Sequence, residues 1–343
     1  VIASGGRPRI PEIPGLDAVA YLTSDTVWQI REAPGRLLVL GAGPIGCELA
    51  QAFGRLGSAV TLVTHADRIL PREDPEVSAH VLAQFLKQGM TVHTSYEAVR
   101  FTTVGEEHHC VFAGADGQPE VVFDRVLLAV GRSANVEGLG LDSLGIPLTA
   151  SGTVAVDDYL RTPVPTIFAC GDVAGPYMFT HMASHQAGYA TVNALFGRFR
   201  KFKVDYSIVP WATFTDPEVA RVGLNEQDAE SRGIPVDVTR YDIDDLDRAI
   251  ADGEASGFIK VLTEPGRDRI LGATIVGYHA AELLAEFVLA MKHGIGLNKI
   301  LATVHVYPTL GEANKFLASE WRKARKPEKL LDLAERYHRW VRR

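Results

Sequence analysis

The chain of 343 residues is 46% hydrophobic and 22% charged, which describes a well-cored protein of two or three domains and excludes a disordered tail. No uncharged apolar run reaches the roughly 18 residues of a membrane span, and the N-terminus lacks the charged-then-apolar order of a secretion signal, so a cytoplasmic protein is expected. The formal net charge of −7 excludes wholesale nucleic-acid binding, although residues 322–343 alone hold nine Lys/Arg against three Asp/Glu.

In chain order, residues 1–8 (VIASGGRP) read as the end of a buried strand entering a loop. Residues 12–30 continue as a Pro/Gly-containing connection with a polar helix-like piece starting near Ser24 and Asp25. Residues 37–46, LLVLGAGPIG, are an apolar strand running into the spacing G-x-G-x-x-G at Gly41, Gly43 and Gly46. Gly41 permits the tight turn, Gly43 lets the backbone approach a pyrophosphate, and Gly46 lets the new helix lie close to the sheet. Ala42, Pro44 and Ile45 complete this loop; Pro44 suits the first helical turn, where its missing N–H costs nothing. Ile45, Leu49, Phe53 and Leu56 recur at helical spacing, Gly57 is placed to end the helix, and a second strand covers Ala59 to Val63. In this strand–turn–helix–strand context the glycines predict dinucleotide binding; the bland alternative is a structural glycine turn.

Residues 31–148 carry the alternating signals of a doubly wound α/β unit, closing with a strand over residues 121–130 and the turn Gly131-Arg132. A second α/β piece runs from Thr153 to Gly197. In it a buried strand from Thr166 ends at Gly171, followed by Asp172, a carboxylate placed to accept hydrogen bonds from sugar-like hydroxyls or to cap the next turn. A long helix opens around Phe179, Thr180, His181, Met182 and Ala183 and runs through Asn193; its N-terminal amides would stabilise negative charge. From about Tyr206 the pattern becomes α+β: strands at 208–214, 257–263 and 270–276 precede a helix at 280–293, which implies an antiparallel sheet. Cys47, Cys110 and Cys170 lie far apart, each in or beside an apolar run, as packed reduced thiols do, and their spacing offers no metal site. The last segment, residues 328–343, sets Leu330, Leu331, Ala334, Tyr337, Trp340 and Val341 on one helical face with arginines elsewhere. Such a helix either packs on the surface of the protein's own dimer or lies on a membrane, the first being the usual fate of an amphipathic face.

Seven segments occur in a telling order: VIASGGRPRIPEIPG, GAGPIGCELAQAFGRLGSAVTLV, RVLLAVGRSAN, TIFACGDVAG, ATFTDPEVARVG, RILGATIVG and HVYPTLGE. Together the chain resembles the pyridine nucleotide-disulfide oxidoreductases, the flavoproteins that include dihydrolipoamide dehydrogenase, glutathione reductase and mercuric reductase. The resemblance implies Rossmann-like nucleotide-binding domains, with an FAD domain interrupted by an NAD(P) domain, followed by an α+β dimerisation domain and a homodimer. It places an FAD-domain remnant and linker at 1–30, the NAD(P) domain at 31–148, the second FAD segment at 149–204, the dimerisation domain at 205–325 and a basic amphipathic helix at 326–343. It also implies that a domain-sized N-terminal piece, with the first FAD glycine loop and a redox pair C-x-x-x-x-C, precedes Val1.

The resemblance implies FAD and NAD(P)H as cofactors, with hydride passing from NAD(P)H to flavin and on to a disulfide or related acceptor. Asp172, with Gly171, would hold the FAD ribityl chain, and the helix start at Thr180, His181 and Ala183 would face the flavin. Glu48 resembles the glutamate facing the nicotinamide; the alternative is a surface pair with Arg55. Gly131 resembles the turn passing close to NAD(P). Enzymes using NAD usually carry Asp or Glu where Thr64 stands, whereas His65 and Arg68 are able to donate to a 2′-phosphate, which leans toward NADPH.

The family's acid–base histidine is replaced by Tyr307 in His305-Val-Tyr-Pro-Thr-Leu-Gly-Glu312. A phenol with a pKa near ~10 is a poor base but a competent donor. His305, on the same side if the segment is extended, is the alternative base, and Glu312 would orient either. Tyrosine here also resembles mercuric reductases and soluble transhydrogenases, but no cysteine follows Cys170, which argues against mercury as substrate. Disulfide reduction, hydride transfer to a nicotinamide or quinone without a redox disulfide, and a non-catalytic NAD(P)-binding and dimerisation fragment remain as readings; the expected acceptor is a small-molecule or protein disulfide.

Overall fold

A computed structural model describes residues 1–114, 117–326 and 328–342; the side chains of residues 328–330, including Leu330, lie outside the described residues. The chain divides into two compact units, residues 1–71 with 85–206, and residues 72–84 with 207 onward.

The first unit contains β1 (Gly6–Pro8), β2 (Tyr21–Thr23), β3 (Arg36–Leu40), α1 (Pro44–Arg55), β4 (Ala59–Val63), the end of α2 (Pro75–Lys87), and β5 (Thr91–His93). It continues through β6 (Tyr96–Val104), β7 (Glu107–Gly114), β8 (Glu120–Phe123), β9 (Arg125–Leu128), β10 (Arg132–Ala134) and α3 (Thr180–Phe196). A five-stranded parallel sheet has the order β2-β9-β3-β4-β5. Leu37 to Leu40 of β3 are at most 4% exposed, the continuous apolar run of a strand covered on both faces. The helix after it begins at Pro44 and closes with Gly57 at φ +97, as the spacing predicts.

Three expectations need correction here. The single strand over 121–130 is two strands in different sheets: β8 joins the antiparallel ribbon β6-β7-β8, and β9 joins the parallel sheet. The break falls at Asp124, whose carboxylate accepts from the Arg36 backbone N–H at 2.7 Å and from the Arg36 guanidinium at 2.7 and 3.0 Å. The run from Thr166 to Gly171 makes isolated bridges, Ile2 to Ala169 and Arg161 to Phe168, rather than a regular strand. The helix-like piece near Ser24 is one 3-10 turn, Val27–Gln29.

The second unit holds β11 (Pro210–Thr213), β12 (Glu218–Gly223), α4 (Glu226–Ser231), β13 (Asp237–Asp242), α5 (Asp247–Asp252), β14 (Phe258–Thr263) and β15 (Ile270–Gly277). After these come α6 (Ala280–Lys292), α7 (Leu297–Ala302), α8 (Glu312–Lys323) and α9 (Glu328–Val341). The five strands form one antiparallel sheet, β11-β12-β15-β14-β13, as the 3 recognised strands anticipate; β12 and β13 are additions. Ala220, Ile259, Ile275, Phe287, Leu317 and Trp321 form the core between this sheet and helices α6 to α8. The first turns of α2 cluster with this unit, so it is assembled from two separate stretches of chain.

On α9, Leu331, Tyr337, Trp340 and Val341 are exposed, as are all residues from 331 to 342. Among the described residues no helix is long and apolar enough to cross a membrane. All three cysteines are buried and unbridged.

Candidate functional site

Strands β3, β4 and β9 end side by side, with Leu40 opposite both Val63 and Leu128, so the loops leaving them share the carboxyl edge of the parallel sheet. Gly41 turns at φ +100 and its N–H donates to the Val63 carbonyl at 2.8 Å. A Cβ there would collide with the Ala129 carbonyl oxygen, and a Cβ at Gly46 would collide with the Gly41 carbonyl oxygen. Both glycines are therefore demanded by backbone packing. Gly43 differs: it is the N-cap of α1 and supplies no side-chain cap, its backbone is extended, and a Cβ on it would meet nothing within 4 Å. A side chain there would project into open space at the positive end of a helix whose first amides have no intrahelical acceptor. Ala42 is 2% exposed, and its carbonyl accepts from Leu70 N–H at 2.8 Å, which fixes the loop from below. Pro44 opens the helix, Ile45 and Glu48 are half-buried on it, and Cys47 is buried behind it with its thiol pushed up by desolvation.

At the end of β4, Thr64 is buried and its Oγ1 accepts from Ala66 N–H at 3.2 Å, while His65 is exposed. Arg68 donates to Asp67 Oδ2 at 2.8 Å. Gly131 turns at φ +118 with open space at its Cβ position, and its carbonyl accepts from Arg9 N–H. Gly41 to Gly46, Thr64 and Gly131 thus lie along one rim that offers two close backbone approaches, two open glycines and an uncapped helix start, the features that binding a dinucleotide requires.

A second cluster in the same unit surrounds Gly171. It turns at φ +77, would place a Cβ 3.3 Å from that of Ala183, and donates its N–H to Gln186 Oε1 at 2.7 Å. Gln186, wholly buried, also donates to the Gly175 carbonyl at 2.7 Å and to Tyr206 Oη at 2.9 Å. Asp172 lies 3.4 Å from Arg132 Nε, and Arg132 donates to the Gly6 carbonyl at 2.8 Å. Thr180 begins α3 without a side-chain cap before it; His181, exposed, stacks on Phe179 at 5.2 Å. A carboxylate, a glycine turn against a helix and an uncapped helix start suit the sugar-alcohol and ring portions of a flavin. Sequence reasoning missed Arg132 and Gln186. For Gln186 a signal existed: it falls on the buried stripe Met182, Gln186, Ala190, Asn193, where a polar side chain needs partners.

In the second unit, the segment between α7 and α8 does not run extended, because Thr309 Oγ1 donates to the Val306 carbonyl at 2.6 Å and folds it into a turn. His305 and Tyr307 consequently meet different elements. His305 has an 11% exposed side chain, with Nε2 3.1 Å from Glu286 Oε1 on α6 and Nδ1 3.1 Å from the Thr303 carbonyl. Tyr307 is 68% exposed and its Oη donates to Asp247 Oδ2 at 2.9 Å on α5. That hydrogen bond to a carboxylate raises the phenol pKa. Glu312 caps its own turn, accepting from Thr309 N–H at 3.2 Å. Tyr307, its alternative His305 and the orienting Glu312 thus have three separate partners, and Asp247 and Glu286 went unrecognised because they stand 60 and 19 residues away in sequence.

Residues 1–187 match the pyridine nucleotide-disulphide oxidoreductase family, and residues 209–318 match the dimerisation domain of that family. The chain is 36% identical over 318 residues to a mercuric reductase of Streptomyces lividans, covering 93% of this chain and 66% of that protein. It is 35% identical over 314 residues to a dihydrolipoyl dehydrogenase of Chlamydia trachomatis, covering 91% and 66%. Similar solved structures include the HOCl-induced flavoprotein disulfide reductase RclA from Escherichia coli, with a TM-score of 0.84 at 26% identity over 92% of this chain and 72% of that one. LpdA from Mycobacterium tuberculosis gives 0.83 at 27% over 92% and 68%. The chain spans 66% of the length of the first two relatives.

Proposed function

Because this chain belongs to the pyridine nucleotide-disulphide oxidoreductase family, we propose that the whole protein is an FAD-dependent NAD(P)H oxidoreductase, a homodimer that reduces a disulfide or a related acceptor. The bound flavin and nicotinamide would supply hydride transfer; this chain's own residues bind, orient and tune. The uncapped start of α1 and the open Cβ direction at Gly43 are the observation that carries the reading, since they accommodate a pyrophosphate on main-chain amides. Gly171, Asp172 and the start of α3 are the flavin-facing set, with Arg132 holding Asp172 in place. Thr64 brings no carboxylate to the ribose, and with His65, which is exposed, and Arg68, which is half-buried, it favours NADPH; the Arg68–Asp67 pair must open for Arg68 to reach a 2′-phosphate. Tyr307 is the residue that donates to the acceptor. His305 has both ring nitrogens engaged by the Thr303 carbonyl and Glu286, so its role is to hold the turn.

Fluorescence titration of the purified chain with NADPH and NADH tests this. A Gly43→Val variant is expected to lose about 100-fold or more in affinity, which is roughly 2.7 kcal/mol, because its side chain takes the anion's place. Equal affinity in variant and parent would refute the site, and tighter binding of NADH than NADPH would refute the coenzyme preference.

A further inference from the structure

The position where this chain departs from its family's histidine, Tyr307, has an acidic partner of its own. Its phenol donates at 2.9 Å to Asp247, the first residue of α5, while Glu312, which chain order offers as partner, is spent on the Thr309 amide. Tyr307 is exposed, so burial does not fix the ring direction; the Asp247 contact does. The surroundings leave Asp247 available for this. Arg248, the adjacent cation, donates to Asp252 at 2.7 Å. A polar cleft of about 400 Å³ opens beside the pair, lined by Arg248, Asp252, Glu254 and His279 on one side and by Pro308 to Leu310 on the other.

We propose that Asp247 is the positioning residue of Tyr307: it accepts the one phenolic hydrogen while no acceptor is bound, which fixes the ring direction and keeps the phenol protonated, and it gives up that hydrogen bond when an anionic acceptor atom arrives to take it. The inference rests on the reading of Tyr307 as the acceptor-side donor. Among the described residues, Asp247 on α5 and Glu312 at the start of α8 act on the phenol directly, and the Arg248–Asp252 pair, Glu254 and His279 ahead of α6 line the neighbouring cleft. Three of the four acids are unpaired with Arg248, so the local balance opposes a phenolate and favours the protonated donor.

Tyrosine labelled at the ring Cζ, read by NMR in the parent, Asp247→Asn and Asp247→Glu proteins, tests it, with Tyr307→Phe assigning the resonance. Tyr307 is expected to titrate above its ordinary value in the parent and in Asp247→Glu, and to return toward that value in Asp247→Asn. Steady-state assays with a disulfide acceptor should show Asp247→Asn losing at least about threefold in kcat, equivalent to about 0.65 kcal/mol, with recovery in Asp247→Glu and an unchanged rate with a one-electron dye. An Asn variant that titrates like the parent, or that slows disulfide and dye equally, overturns the role of Asp247. If Tyr307→Phe leaves disulfide reduction unchanged, the reading of Tyr307 fails, while the titration still decides whether Asp247 governs the phenol.

Discussion

Arg7 and Glu137 join β1 to the segment after β10 through a two-pronged contact, Nη1 to Oε2 at 2.9 Å and Nη2 to Oε1 at 2.7 Å. The guanidinium hydrogen bonds pull the Glu137 pKa from 4.5 down to about 2. An acid whose folded pKa is depressed contributes stability above its ordinary value and loses it as the pH falls through the folded one. Thermal melts of Glu137→Gln should therefore lie below the parent at neutral pH and converge with it between pH 4.5 and about 2; an offset independent of pH would contradict this. At this scale the sequence was most legible where backbone dictates residue type. Gly41 and Gly46 are readable because no side chain fits beside Ala129 or under the Gly41 carbonyl. Arg132, Gln186 and Asp247 were not, because each draws its meaning from a partner that only folding brings near.

Among the elements, the most consequential junction is that of α2 and the residues before it with the antiparallel sheet. Lys260 on β14 is 1% exposed and touches Asp74 and Glu76 at 2.5 Å and Glu226 at 2.6 Å. Burial disfavours its charge, but the three carboxylates outweigh burial and its pKa rises. Arg221 on β12, 3% exposed, meets Glu73 at 3.0 Å and Asp228 at 2.6 Å, with Trp211 beneath it at 4.3 Å. Removing one partner of such a buried pair costs about 3–5 kcal/mol because the other is left charged and unsolvated. Arg221→Leu is expected to lower the melting midpoint by roughly 5–15 °C. Adding Glu73→Leu should recover much of the loss, whereas additive losses would show that the charges do not interact. Strands with continuous apolar runs, β3, β4, β14 and β15, and the helices α1 and α6 were readable to within a residue or two. Strands β6 and β7 escaped because Glu97, Arg100, Glu107, His108 and His109 break up their apolar pattern, and β12 because Arg221 interrupts its apolar residues, although ion pairs let that side chain be buried.

For the whole molecule, chain order and compactness disagree. The antiparallel unit needs residues 72–84 as well as those from 207 onward, which no motif announces. Residues 207–326 expressed alone are expected to lack a cooperative unfolding transition, since Lys260 and Arg221 would be buried without Asp74, Glu76 and Glu73. Linking residues 72–84 to that piece should restore the transition; calorimetry on the two proteins decides, and a sharp melt of the shorter one would count against the dependence.

The same ion network also sets a timetable. During synthesis, Asp74 leaves the ribosome roughly 190 residues ahead of Lys260, and at about 5–20 residues per second that is a delay on the order of 10–40 s. For that interval the acidic residues ahead of α2 and in its first turn must stay hydrated, and their docking waits on a lysine not yet translated.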